Sequence, residues 1–304
     1  MKATRQSYGE ALAQLGRKNE NVVVLDADLA TATKTIEFAK VFPERFFDIG
    51  IAEADMICTA AGMATCGKIP FASTFAVFAA GRTYDQIRSS VCYPKLNVKI
   101  CATHAGITVG EDGATHQMIE DINLMRGMPN MYVFCPSDDI QTKWLIKEIS
   151  KIQEPCYVRL CRLETPEIYD ENQKFEIGKM VQVGEGTDAT IFATGVTVSE
   201  AIKAQKELKE KGIDVRVIDI HTIKPLDEEM ILKCAKETRR LISVEDHNII
   251  GGIGSAISEV LTDKYPTKLE RMGINDTFGR SGNAKELLKY FKIDSQAIID
   301  KFVI

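Results

Sequence analysis

The chain has 304 residues, 45% of them hydrophobic and 27% charged, with a formal net charge of -5. That composition excludes a collagen-like, disordered or low-complexity chain, and the acidic balance without a basic patch argues against nucleic acid or acidic membranes as partners. No apolar run of about 18 residues is present to span a membrane, and the opening segment MKATRQSYGEALAQLG has no apolar signal core.

The eight cysteines (58, 66, 92, 101, 135, 156, 161 and 234) form no CxxC pair, and most sit in apolar segments. Free thiols of a reducing compartment explain them better than zinc or disulfides, so a cytoplasmic location is expected.

Strand-like and helix-like segments alternate along the chain. NVVVLDAD (21–28) is a continuous β-branched run, as in a strand buried on both faces. RFFDIGI (45–51), KIPFAS (68–73), NVKICAT (97–103), NMYVFCP (130–136) and CYVRLC (156–161) are further strands. Between them lie the helical patterns EADMICTAAGMATC, GRTYDQIRSSVC, MIEDINLMRG and DIQTKWLIKEISK. Ser137 or Asp138 caps the last of these. From about 164 to 188 the composition turns polar, which predicts a linker with one short hairpin. Alternation then resumes through ATIFATG, VSEAIKAQKELKEKG, VRVIDI, DEEMILKCAKET, RRLISVED, GSAISEVLTDKY and KLERMGI, with two helical segments last. The pattern predicts two α/β domains, each a mostly parallel sheet with helices on both faces. Sites in such sheets lie just beyond the carboxyl ends of the strands.

Five segments could carry chemistry. Glu53 follows RFFDIGI; it is either a first-turn acid at a helix N-terminus or a carboxylate whose mostly apolar neighbours favour its protonated form. Phe75 and Phe78 share a helical face, as core packing or as a wall for a flat heterocycle. HAGITVGEDGATHQ (104–117) follows a strand and holds His104, Glu111, Asp112 and His116, too many titratable groups for a plain connector. Its His-x11-His spacing matches no metal-ligand motif, so no metal ligand is assigned. Arg159 and Arg162 bracket the end of CYVRLCR; one can face solvent and the other a site, or both can form surface salt bridges. GGIGSA (251–256) lacks the third glycine of a dinucleotide fingerprint and reads as a tight strand–helix turn.

Taken together, KATRQSYGEALAQLG, DIGIAEADM, ASTFAVFAAGRTYDQIR, HAGITVGEDGATHQMIEDI, DVRVIDIHTIKPLD and SVEDHNIIGGIGSAISEVL resemble transketolase, in order, from residue 2 to near the end. GEDGATHQ and TIKPLD are the most specific segments; GIAE is shared with related thiamine enzymes. The resemblance covers the pyrimidine-binding domain (1–165), a linker (166–187) and the C-terminal domain (188–304). The GDG motif that anchors the cofactor diphosphate and Mg²⁺ is absent.

The resemblance therefore implies one subunit of a split transketolase of the pentose phosphate pathway. Thiamine diphosphate would be its cofactor, and Mg²⁺ or Ca²⁺ would be held mainly by an N-terminal partner subunit in an α2β2 assembly. It implies that Glu53 bonds N1′ of the aminopyrimidine, that Phe75 and Phe78 pack on that ring, and that His104 and Asp112 meet the sugar hydroxyls. His116 would lie near the cofactor and the phosphate, and Arg5 and Arg162 would clamp the substrate phosphate. Two departures stand out. A phosphate-binding serine of the family falls on Ala32, with Thr31 and Thr33 beside it, and the phenylalanine segment needs a one-residue gap against some relatives. Half of a deoxyxylulose phosphate synthase-like enzyme, a 2-oxo acid dehydrogenase β subunit and a non-catalytic regulatory subunit are the alternatives.

Overall fold

The computed structural model describes residues 1–302. In chain order the strands are β1 (Lys2–Ala3), β2 (Val22–Asp26), β3 (Phe46–Asp48), β4 (Ile69–Phe75), β5 (Lys99–Thr103), β6 (Tyr132–Phe134) and β7 (Cys156–Arg159). They continue with β8 (Glu164–Thr165), β9 (Val181–Gly184), β10 (Ala189–Ala193), β11 (Val215–Asp219), β12 (Thr222–Lys224), β13 (Leu241–Asn248) and β14 (Leu269–Ile274). A seven-stranded sheet runs β12-β6-β7-β5-β4-β2-β3, and a five-stranded sheet runs β14-β13-β10-β11-β9. Both are parallel except at one edge, where β12 and β9 pair antiparallel. All five residues of β2, β5, β10 and β11 are buried, which is why these segments read as mostly apolar rather than alternating, apart from Lys99 in β5 and Arg216 in β11.

Two of the strands depart from the expected organisation. The segment 166–187 contains β9, which joins the second sheet beside β11, instead of a hairpin. Strand β12 lies inside the C-terminal half of the sequence yet pairs with β6 of the first sheet. The helix expected over GRTYDQIRSSVC is also irregular: π-type turns at Val77–Arg82 and Ile87–Cys92 flank a single short turn at Tyr84–Gln86. A π turn absorbs one extra residue without breaking the helix, and such turns are frequent at functional sites. At the helix Asp139–Ile149 the cap is Asp138, whose Oδ1 accepts from the Gln141 amide at 2.8 Å. The Ser137 hydroxyl donates instead to Asp219 of β11.

Arg159 faces neither solvent nor a substrate. It is buried, and its Nε donates to both carboxylate oxygens of Asp121 at 2.9 and 3.1 Å. Its Nη2 donates to the Asp246 carbonyl of β13 at 2.7 Å. Tyr157 adds a hydroxyl to the same Asp121 carboxylate. Burial disfavours the Arg159 charge, but the surrounding groups, Asp121 first among them, together outweigh it and raise the pKa. The Asp246 side chain in turn accepts from the Ile107 amide at 2.8 Å and the Thr108 hydroxyl at 2.9 Å. It approaches Gly106 so closely that a Cβ there would collide with the carboxylate. The second sheet thus grips the 104–117 loop of the first. In GGIGSA the glycines serve close approach: the Glu245 carboxylate lies against Gly252 and accepts from the Ile253 and Gly254 amides at the helix start.

Removing one partner of a buried ion pair leaves the other charge uncompensated, at a cost of about 3–5 kcal/mol. Arg159→Met should therefore destabilise the chain by about that much in urea denaturation. Arg159→Met combined with Asp121→Leu should recover part of the loss. Equal stabilities for the single and double variants would show that the pair contributes nothing.

Candidate active site

All eight site residues named from the sequence lie along the carboxyl edge of the first sheet. The chain leaves β2 toward β3 on one side and β4 toward β5 on the other, so a crevice opens at these strand ends. Glu53 begins the helix Glu53–Thr65, where the helix dipole favours a carboxylate. It is 3% exposed. Its surroundings are not purely apolar, however: Oε2 accepts from Arg82 Nη1 at 2.8 Å. Arg82 comes from the π turn, and its guanidinium lies 4.5 Å from the Phe78 ring centre. No sequence spacing pointed to Arg82; it is the missed member of the group.

Phe75 and Phe78 stand 6.0 Å apart and near-parallel at 12°. Phe75 is buried and Phe78 half-buried, so the pair is partly core and partly exposed wall. His116 meets Phe78 edge-on at 5.7 Å. His104 lies against Phe75 at 3.8 Å between ring centres. A carboxylate beside an aromatic wall fits a flat, nitrogen-bearing heterocycle such as an aminopyrimidine, which needs one face against apolar surface and one ring nitrogen in a hydrogen bond.

The other end of the crevice is cationic. His104 is buried with a φ of 58°. Arg5 Nη1 lies 3.1 Å from His104 Nε2, and Thr103 Oγ1 lies 2.8 Å from Nδ1. A guanidinium only donates, so Nε2 must accept, which puts the ring proton on Nδ1. Burial first, and then the charges of Arg5, Arg162, His116 and Lys34, lower the His104 pKa to about 3. The imidazole is therefore a neutral hydrogen-bonding group at neutral pH. Arg162 lies beyond the end of β7 and is half-exposed; its Nη1 donates to the Val109 carbonyl at 2.9 Å and to Asp112 Oδ1 at 3.4 Å. Asp112 itself is exposed on the rim.

Among the described residues no group of three or more His, Cys, Asp or Glu side chains could hold a metal ion. A cleft of about 500 Å³ lies elsewhere, between Pro166–Tyr169 and the helix Val196–Glu210, and shares none of these side chains. All eight cysteines are free; Cys58 and Cys66 are exposed and the other six buried.

The geometry fixes how His104 titrates. Its nitrogen resonances should show no protonation between about pH 5 and 8, since an ordinary histidine would titrate near 6.5. Arg5→Met should move the transition upward by removing the nearest charge. A His104 transition near pH 6.5 in the unaltered chain would contradict the assignment.

Comparison with known proteins gives two family matches. Residues 1–167 match the transketolase pyrimidine-binding domain and residues 178–298 the transketolase C-terminal domain. A chain of Methanocaldococcus jannaschii described as a transketolase C-terminal section is 53% identical, over 99% of this chain and 96% of its own length. A 6-deoxy-6-sulfo-D-fructose transketolase subunit from a Clostridium species is 40% identical, over 97% of this chain and 92% of its own. The transketolase of Rattus norvegicus is 39% identical over 98% of this chain, which spans 48% of that protein. A solved split-gene transketolase, an inactive β4 tetramer, superposes with a TM-score of 0.92 at 48% identity, covering 99% of this chain and 97% of that one. The chain belongs to the transketolase family and corresponds to its pyrimidine-binding and C-terminal domains.

Proposed function

We propose that this chain is the C-terminal subunit of a two-chain transketolase. In this role it moves a two-carbon ketol unit from a ketose phosphate to an aldose phosphate and works with a separate N-terminal subunit. The observation that carries the reading is the two-ended crevice. A buried carboxylate and an aromatic wall stand at one end, and Arg5, His104 and Arg162 converge at the other. The sequence has no GDG motif and the described residues have no metal cluster, which supports a partner that holds the diphosphate and Mg²⁺. The exposed Ile51, two residues before Glu53, is apolar surface of the kind such a partner would cover.

When bound, thiamine diphosphate supplies the electron sink for breaking and making the carbon–carbon bond. Glu53 holds and shares a proton at the aminopyrimidine N1′, and Arg82 fixes the carboxylate's orientation. Phe75 and Phe78 hold the ring flat and keep water from its face. His104 and Asp112 orient the sugar hydroxyls, with His104 acting as a neutral partner rather than a cation. Arg5 and Arg162 hold the phosphate, a task that suits forked guanidinium donors. Asp112 keeps Arg162 positioned at the rim until an anion replaces it.

The test is to purify this chain with a candidate partner carrying the GDG motif and to assay ketol transfer with thiamine diphosphate and Mg²⁺. Transfer by the pair and none by this chain alone is the expected result; turnover by the rigorously purified chain would refute the two-chain reading. In the active pair, Glu53→Gln should lower the transfer rate by about two orders of magnitude or more, the usual size of a general acid–base contribution. Circular dichroism should stay unchanged, since the substitution removes no buried apolar mass. An unaltered rate would remove Glu53 from the chemistry.

A further inference from the structure

The 104–117 loop meets a second segment of the C-terminal half besides Asp246. Residues 279–282, between β14 and the helix Ala284–Tyr290, pack directly on its backbone. A Cβ on Gly113 would collide with the Ser281 hydroxyl, and one on Gly110 would stand 3.4 Å from the Gly282 carbonyl oxygen. Gln117 joins the two segments. It is buried, and its Nε2 donates to the Arg280 carbonyl at 2.9 Å and to the Ile107 and Gly110 carbonyls at 3.2 Å each. Three carbonyls around one end identify it as the NH₂ end of the amide, which shares its two protons among them. The Oε1 end has no donor among the described residues and fills the space that a Cβ on Gly279 would take. The backbone at Gly279 is not left-handed, so what glycine supplies there is room for the amide.

These bonds fall where the anion end of the crevice is built. The Ile107 and Gly110 carbonyls bracket the short turn Ile107–Val109, and the Val109 carbonyl is the one that accepts from Arg162. Asp112 lies between Gly110 and Gly113, and the Gln117 amide N–H returns to the Gly113 carbonyl at 3.1 Å. The Gln117 side chain thus closes the loop that carries Asp112 and braces Arg162, and Arg280 ties this closure to the C-terminal domain. His116 is held separately, by its edge-on contact with Phe78 at 5.7 Å.

We propose that Gln117 is a positioning residue for the far end of the substrate: anchored on residues 279–282, it holds Asp112 and Arg162 where the sugar hydroxyls and the phosphate meet them. The proposal rests on the ketol-transfer reading above and adds to it a residue and a segment of the C-terminal domain. Contacts to the far end of a substrate act alike in the ground and transition states, so disturbing them raises KM and leaves kcat largely alone.

The test uses the active pair with two ketol donors, fructose 6-phosphate and hydroxypyruvate, which lacks the polyhydroxy tail and the phosphate. Gln117→Leu keeps the bulk and removes the amide donors. It should raise KM for fructose 6-phosphate about tenfold or more, the size of a lost contact to a charged group. KM for hydroxypyruvate, and kcat with either donor, should stay close to the unaltered values. Misfolding cannot give that pattern, because it removes active sites and lowers kcat for both donors alike. Gly279→Ala should act in the same direction by pressing a Cβ into the Gln117 amide. Added to Gln117→Ala it should raise KM no further, because the obstructed group is gone. An unchanged KM for fructose 6-phosphate, an equal rise for both donors, or additive effects of Gly279→Ala and Gln117→Ala would overturn the role of Gln117 while ketol transfer by the unaltered pair still stands. An unaltered pair that transfers no ketol unit from either donor overturns the two-chain reading and the role of Gln117 together.

Discussion

The architecture depends on one buried junction. Arg159 ends β7 of the first sheet, Asp121 opens the helix after the 104–117 loop, and Asp246 lies on β13 of the second sheet. The Arg159 guanidinium spans all three, and the Asp246 carboxylate then caps the backbone at residues 107–108. A buried ion pair is worth little net stability against a well-packed apolar alternative. What it supplies here is a set of directional hydrogen bonds that join the first sheet, the Asp121 helix and the second sheet. Strand β12 repeats the logic with backbone hydrogen bonds, because it carries a piece of the C-terminal half into the first sheet. The second sheet therefore acts on the crevice through the loop it grips, without lending a side chain to the aromatic wall.

Within the crevice the polar groups satisfy one another inside the chain. Glu53 pairs with Arg82, Arg5 with His104 and Arg162 with Asp112. An unpaired buried charge is costly, so these pairings let the chain fold with a reactive set of groups in place. They also set the terms of binding, because a ligand must exchange for an internal partner instead of meeting a bare charge. The exchange is easiest where the partner is exposed. Arg82 is 50% exposed at its side chain while Glu53 is 3% exposed. The guanidinium can move toward water while the carboxylate stays fixed at the helix N-terminus.

Much of this was legible in the sequence, for identifiable reasons. Strands β2, β5, β10 and β11 are buried on both faces, and sequences of that kind cannot hide their apolar runs. The site residues stood out because polar groups cluster just past such strands. The parts that were not legible are long-range or irregular. Strand β9 is only partly buried at all four positions and so shows no apolar run. The π turn changes the helical period within one turn, which no window of residues reveals. Arg159 looked like a surface or site arginine because its partners lie 38 and 87 residues away in the chain. Arg82 meets Glu53 across 29 residues by way of that same π turn.

The π turn and the Lys34 loop make one point about how a shared fold is adjusted. Each introduces a locally unfavourable backbone, a widened turn in one case and a left-handed lysine in the other. The π turn also delivers a cation to the crevice, Arg82 to the Glu53 carboxylate. Backbone strain of this kind persists only where the surroundings over-determine it. Here the surroundings are the Thr33 and Thr35 hydroxyls on Asp26 and the Gly9 contact beneath Lys34, and the stacked Phe75 and Phe78 beneath Arg82. The sheets fix where the strand ends lie; the π turn decides that a guanidinium stands beside the carboxylate there.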